Sequence, residues 1–243
     1  MQEKTDPTQL NEIQSKLSCA LGRSLSIEVI QLLLLHLRYV LDANATVNLT
    51  SIVDEEKGML FHIEDSLTAL QEIEDEITGN LVDLGSGGGF PGIPLAIVSK
   101  RDTTLIEATQ KKARILEKFI QESNMGSTIK VEASRIEEFS KKARGCFAVA
   151  TARALSSLSA SMELAAPLLM LDGVLIAYKG KLSDSELQRA REAEDILGME
   201  LSSSRRFLLS DGMTQRELVV FRKTKEPEIE LPRRNGKAQQ CPF

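Results

Sequence analysis

Residues 81–94, Leu81-Val82-Asp83-Leu84-Gly85-Ser86-Gly87-Gly88-Gly89-Phe90-Pro91-Gly92-Ile93-Pro94, decide the fold class. A short apolar run carrying Asp83 enters four glycines within the five positions 85 to 89, then a Pro-Gly-Ile-Pro helix start. A strand that turns through glycines into a helix leaves backbone N–H groups bare and lets a ligand approach the main chain closely. A tight turn with Asp83 capping the next helix would use fewer glycines than these. The stretch therefore reads as a cofactor loop.

The next apolar run, Thr103-Thr104-Leu105-Ile106-Glu107-Ala108, places Glu107 22 residues after Gly85, where a carboxylate can accept from both ribose hydroxyls. The dinucleotide pattern G-x-G-x-x-G is met only from Gly87 through Gly89 to Gly92, too late after the strand. Counted from Gly85, its last position is Phe90. An acid at Asp83 beside the turn suits the cationic sulfonium and amino acid moiety of S-adenosylmethionine better than a pyrophosphate. Gly85, Gly87 and Glu107 are the first cofactor candidates, and Glu107 serves NAD and S-adenosylmethionine alike.

From Leu81 onward strand and helix patterns alternate, the signature of a parallel sheet with helices on both faces. Strands are predicted at LVDL, TTLIEA, TIKVEA, FAVATA, GVLIAYK, around LSSSRRFLL and at RELVVF, with helices near 92–99, 110–123, 135–143, 155–170 and 183–197. No helix fits between Leu209 and Arg216, so the last two strands form a hairpin across DGMTQ. Seven strands ending in a hairpin suit an α/β, Rossmann-like methyltransferase sheet. Before it, Asp6-Pro7 starts one helix, Ser26 caps a second, and Asp54 opens a third through Ile77. The predicted organisation is an N-terminal helical subdomain (1–79), a cofactor-binding domain (80–225) and a polar, proline-bearing tail (226–243).

The 243 residues are 42% hydrophobic, enough for a sizeable core. No apolar run reaches the roughly 18 residues of a membrane span, and the N-terminus lacks a signal peptide's apolar region, so a cytoplasmic protein without membrane contact is expected. Cys19, Cys146 and Cys241 are far apart and suggest neither disulfide nor metal site. Net charge is −5, but residues 1–80 carry −9 and the remainder +4. Arg205, Arg206, Arg222, Lys223, Lys225, Arg233, Arg234 and Lys237 are late cations suited to phosphate contacts or to an ordinary solvated surface.

Eight motifs in order give the chain a resemblance: Asn48-Leu49-Thr50, His62-x-x-Asp65-Ser66, the block from Asp83, Lys112 with Leu116, Arg135-Ile136-Glu137, Arg153-Ala154, Lys179-Gly180 and Pro232-Arg233-Arg234-x-Gly236. With these the chain resembles the glucose-inhibited division protein B family, bacterial enzymes that methylate ring nitrogen 7 of a guanosine in 16S ribosomal RNA. The resemblance implies S-adenosylmethionine as cofactor, no metal, and ribosomal RNA, within the small subunit, as partner of a monomeric enzyme. It places cofactor contacts at Gly85, Phe90, Ile136, Glu137 and Arg153.

Arg153 and Lys179, at the ends of the fourth and fifth strands, are candidates to hold phosphate or base edges and to assist catalysis. Asn48, His62, Asp65, Arg233 and Arg234 are candidates for substrate binding. Each has an ordinary alternative: Phe90 as core, Glu137 as a first-turn acid, Arg153 as a surface pair, His62 as a satisfied structural group. His36 has no motif and reads as a helix-packing residue. The rival functions are methylation of another RNA or a small molecule, non-catalytic RNA binding in assembly, and nicotinamide-dependent oxidoreduction.

Overall fold

The structure is a computed structural model that describes residues 6–243. Pro7 opens α1 (Pro7–Ala20), and the Ser26 hydroxyl caps α2 (Ile27–Asn44) by accepting from Val29 N. The single helix expected from Asp54 to Ile77 is instead broken into α3 (Glu55–Gly58), a π-helical stretch (Met59–Glu64), α4 (Asp65–Leu67) and α5 (Leu70–Glu74). Asp54 does cap it, its Oδ1 accepting from Lys57 N at 2.9 Å. The break has a physical cause. Carbonyls of Phe61, Ser66 and Thr68 accept from Arg153, Tyr178 and Arg205 of the sheet, and the Ser66 hydroxyl takes the His62 carbonyl. These donors compete with a regular helical ladder.

After Asn80 come β1 (Leu81–Leu84), α6 (Gly92–Ser99), β2 (Thr103–Ile106), α7 (Gln110–Glu122), β3 (Ile129–Glu132), α8 (Ile136–Ser140) and β4 (Phe147–Arg153). The chain continues with α9 (Leu158–Ala165), β5 (Leu169–Lys179), α10 (Asp184–Glu192), α11 (Glu194–Leu197), β6 (Met199–Leu208), β7 (Gln215–Lys223) and α12 (Lys237–Gln240). All seven predicted strands are present, in the order β3-β2-β1-β4-β5-β7-β6. β7 alone runs against the direction of the other six strands, and it pairs with β6 as the expected hairpin, Leu208 facing Gln215. Asp211 closes that turn by accepting from Met213 N and Thr214 N. β5 starts four residues earlier than predicted, where its pairing with β4 shifts register and Asp172 takes a positive φ of 65°. The helix expected to reach residue 170 accordingly stops at Ala165, and the one expected over 183–197 breaks at Ala193.

Successive strand residues point to opposite faces, so the sheet has two apolar cores. Leu81, Leu105, Val149, Ile176 and Leu218 meet α1, α2, α6 and α7 on one face, with Leu17, Leu33, Ile93 and Phe119. Val82, Ile106, Ala150, Leu175 and Val219 meet α8 to α11 on the other, with Ile136, Leu158 and Leu197. The helices before β1 therefore build on the sheet rather than on a core of their own.

Candidate active site

Strand register gathers the predicted residues at the carboxyl edge of the sheet. Leu84 pairs with Ile106 on one side and Ala152 on the other, and Arg153 pairs with Tyr178. Gly85, Glu107, Arg153 and Lys179 thus stand at four adjacent strand ends, the position where open α/β sheets bind ligands. Ile136 and Glu137 open α8, four residues after β3.

The glycine loop is pinned by its own backbone and by side chains from two other elements. Gly85 N and Ser86 N both donate to Ile106 O at 2.9 Å, and Gly89 N donates to Ser86 O at 2.7 Å. Gly85, Gly87 and Gly89 all have positive φ, which explains why this turn needs so many glycines. Gly92 is fixed by space: a Cβ there would lie 2.4 Å from Leu105 and 2.8 Å from Asp83. Gly87 differs, because a Cβ on it would meet nothing within 4 Å. The loop is therefore packed at its base and open at its crest.

Glu107 sits against that crest. Its two carboxylate oxygens accept from Gly87 N at 2.9 Å and Thr109 N at 2.7 Å, which ties the β1 loop to the β2 loop. A carboxylate keeps further lone pairs after two such bonds, so ribose hydroxyls still find acceptors. Asp83 behaves otherwise than expected. Its carboxylate accepts from the Thr151 hydroxyl at 2.8 Å and Gly92 N at 3.3 Å, is 1% exposed, and is pushed up in pKa by burial. It links β1 to β4 and to the first turn of α6 and is no partner for a sulfonium, which corrects the reading of a pair of acids at the loop.

Phe90, expected as an apolar contact beside the loop or as core, is packed inside. Its ring is buried, stacked on His62 at 4.4 Å and 9°, with His36 4.4 Å away on a tilted plane and the Arg153 guanidinium 5.7 Å from its centroid. His36, read from sequence as packing only, also donates from Nε2 to Gly88 O at 2.9 Å. No sequence signal ties His36 to the loop, because the contact spans 52 residues.

His62, Asp65 and Arg153 meet despite the broken helix. Arg153 donates to Phe61 O at 2.9 Å, Asp65 Oδ2 at 3.2 Å and His62 Nδ1 at 3.4 Å. Because arginine only donates, His62 carries its proton on Nε2, which faces Thr50 Oγ1 at 2.8 Å. Burial and, next, the Arg153 charge push the His62 pKa down to about 4, so the ring is neutral. Thr50 is held there by Asn44, whose Oδ1 accepts from Leu49 N and Thr50 N. Asp65, 3% exposed, also accepts from Arg216 Nε at 3.0 Å, a residue that sequence reading missed.

The remaining candidates divide. Lys179 Nζ donates to Ser156 O at 2.7 Å and pairs with Glu186 at 2.8 Å, half-buried beside Arg153's strand end. Asn48 and Arg234 are exposed. Arg233 is no free surface cation: it forms a bidentate pair with Glu163, which is 2% exposed, and lies over the Phe243 ring at 4.1 Å. Glu137 accepts from Gly236 N at 2.6 Å. Arg205, Arg206 and Arg222, read as phosphate contacts or as ordinary surface charge, pair with Glu72, Glu217 and Glu76. Among the described residues no helix is long and apolar enough to cross a membrane.

The family model GidB, rRNA small subunit methyltransferase G, matches residues 29–219. Relatives named ribosomal RNA small subunit methyltransferase G include one from Carboxydothermus hydrogenoformans, 34% identical over 91% of this chain and 95% of its own length. Another, from Thermotoga neapolitana, is 35% identical over 79% of this chain and 83% of its own. Among solved structures, geranyl diphosphate C-methyltransferase from Streptomyces coelicolor, determined with S-adenosyl-L-homocysteine, aligns with TM-score 0.50 and 11% identity over 65% of this chain and 77% of that one. The cyclase SpnF aligns with TM-score 0.53 and 14% identity over 66% and 81%. These two share the fold. By the family match across most of its length, the chain belongs to GidB, the rRNA small subunit methyltransferase G family.

Proposed function

We propose that this protein transfers the methyl group of S-adenosylmethionine to ring nitrogen 7 of a guanosine in 16S ribosomal RNA, acting as a monomer in the cytoplasm on RNA of the small subunit. The observation that carries this reading is the open crest at Gly87 beside Glu107, with Arg153 and Lys179 on adjacent strand ends. The crest fits the cofactor: the open space over Gly87 admits its nucleoside, Glu107 supplies ribose acceptors, and Ile136 with Glu137 frames the adenine. When bound, S-adenosylmethionine supplies an activated methyl group on a sulfonium.

Guanine nitrogen 7 holds a lone pair outside the aromatic sextet and attacks without first losing a proton. No general base is required, which agrees with a His62 ring kept neutral by burial and committed at both nitrogens. The residues act by alignment, for which a contribution of several kcal/mol is typical. Arg153 is fixed by three partners and presents a preset charge edge, and Lys179 is aimed by Glu186 and Ser156. Because the product base is cationic, the neutralisation of Arg153 by Asp65 and of Lys179 by Glu186 favours the reaction. Arg234 and Asn48, exposed, are the proposed outer RNA contacts.

The test incubates labelled S-adenosylmethionine with small subunits from cells lacking this enzyme, and with their stripped RNA, followed by digestion to nucleosides. Label in 7-methylguanosine is expected from at least one sample. Its absence from both refutes the reaction.

A further inference from the structure

Arg233 and Gly236 lie in the chain's last fifteen residues, yet Gly236 reaches Glu137 of α8 and Arg233 reaches the buried Glu163 of α9. We propose that they are positioning residues of the cofactor site, acting through Glu137 and α8; this rests on reading Ile136 and Glu137 as the nucleoside contact. Gly236 N donates to Glu137 Oε1 at 2.6 Å, and Asn235 Nδ2 donates to Glu138 Oε1 at 2.7 Å. Two consecutive residues of the tail therefore hold two consecutive acids in the first turn of α8. Gly236 presents its N–H from a φ of 76°, a conformation glycine adopts without strain.

The tail that makes these bonds is itself fastened. Arg233 donates Nε to Glu163 Oε1 at 2.6 Å and its other arm to Cys241 O at 2.9 Å, with its guanidinium over the Phe243 ring. Arg144 donates to Leu231 O. Leu231 and Ala238 are each 2% exposed and belong to the same apolar cluster as Ile136. The tail thus runs from α9, through Arg233, to the turn of α8 that frames the adenine. A site wall fixed before binding saves the cost of ordering it during binding, and by linkage a bound cofactor must in turn favour the seated tail.

The experiment uses the full chain. Amide hydrogen exchange is measured with and without saturating S-adenosylhomocysteine, and exchange is expected to slow in residues 231–241 as well as in 85–92. Protection of 85–92 without protection of 231–241 overturns the inference. Protection of neither region, with no binding by calorimetry, instead overturns the cofactor site itself.

A second measurement uses the paired variant Glu163→Met with Arg233→Met, which leaves no lone buried charge and so retains the fold. Its KM for S-adenosylmethionine rises about tenfold, a common size of coupling between sites. Its kcat at saturating cofactor and its KM for RNA stay at wild-type values. A wild-type cofactor KM in a folded paired variant overturns the role of Arg233.

Discussion

His36 Nε2 and the Gly88 carbonyl lie 2.9 Å apart, so α2 grips the glycine loop through a buried hydrogen bond. A carbonyl only accepts, which fixes the proton on Nε2, and Nδ1 is buried without a hydrogen-bond partner. The ring lies between Phe90 at 4.4 Å and Phe119 at 5.0 Å, and burial pushes its pKa down to about 3. A helix far away in sequence therefore sets the height of the glycine loop.

Replacing His36 by leucine strands the Gly88 carbonyl, at a cost of about 1–3 kcal/mol. Urea unfolding is expected to show that loss, and calorimetry a weaker affinity for S-adenosylhomocysteine. His36→Gln, which keeps a donor, recovers part of both. Equal affinity in the leucine variant would refute the grip.

Acid should destabilise the fold through the two histidines. Their pKa values are lowered in the folded state, to about 3 for His36 and about 4 for His62, from 6.5. Above 6.5 both are neutral whether folded or not. Below it the unfolded chain takes up protons that the folded chain refuses, so stability falls as pH drops from 6.5 towards 4. Each histidine contributes a slope of about 1.4 kcal/mol per pH unit. Unfolding curves at pH 7, 6 and 5 check this, and His36→Leu should remove one of the two slopes.

The loop glycines separate binding from folding. Gly87→Ala puts a methyl into open space at a φ of 55°, so it should cost about 1 kcal/mol of stability while sharply weakening cofactor affinity. Gly92→Ala drives a methyl into Leu105 and Asp83 and should act mainly on folding. Thermal melts set beside cofactor titrations distinguish the two, and the reverse pattern contradicts the open crest.

Lys179→Ala should leave S-adenosylmethionine affinity unchanged and reduce turnover about tenfold or more, as expected for loss of a group that aligns the RNA. In the parent enzyme kcat/KM is expected to be flat from about pH 6 to pH 8, because nitrogen 7 needs no base and His62 does not titrate there. A single ionisation near 6.5 in that profile would contradict the neutral ring.

The sheet was readable because alternation of apolar strands with amphipathic helices is a local pattern, and the DGMTQ turn marks its hairpin locally too. The broken third helix was not, because its cause is remote: Arg153, Tyr178 and Arg205 claim its carbonyls from 92, 112 and 137 residues away. Asp83 misled for a related reason. Its place at a strand end was legible, but Thr151 on the next strand turns its carboxylate inward. Glu107, Arg153 and Lys179 were placed correctly at the sheet's edge, since the end of a parallel strand fixes position without knowledge of partners. Arg233, a late cation and substrate-binding candidate by sequence, is received by Glu163, 70 residues earlier, a pairing that no local pattern marks.

The uneven charge, −9 in the first 80 residues and +4 in the rest, finds its use in that same kind of long-range pairing. Glu72 holds Arg205, Glu76 holds Arg222, and Asp65 holds both Arg153 and Arg216. The molecule is stitched along a seam of opposite signs, helices on one side and strands on the other. A polyanion settling on the hairpin must bid against Glu72 and Glu76 for the same guanidiniums, and salt slackens the stitches and the polyanion's grip together.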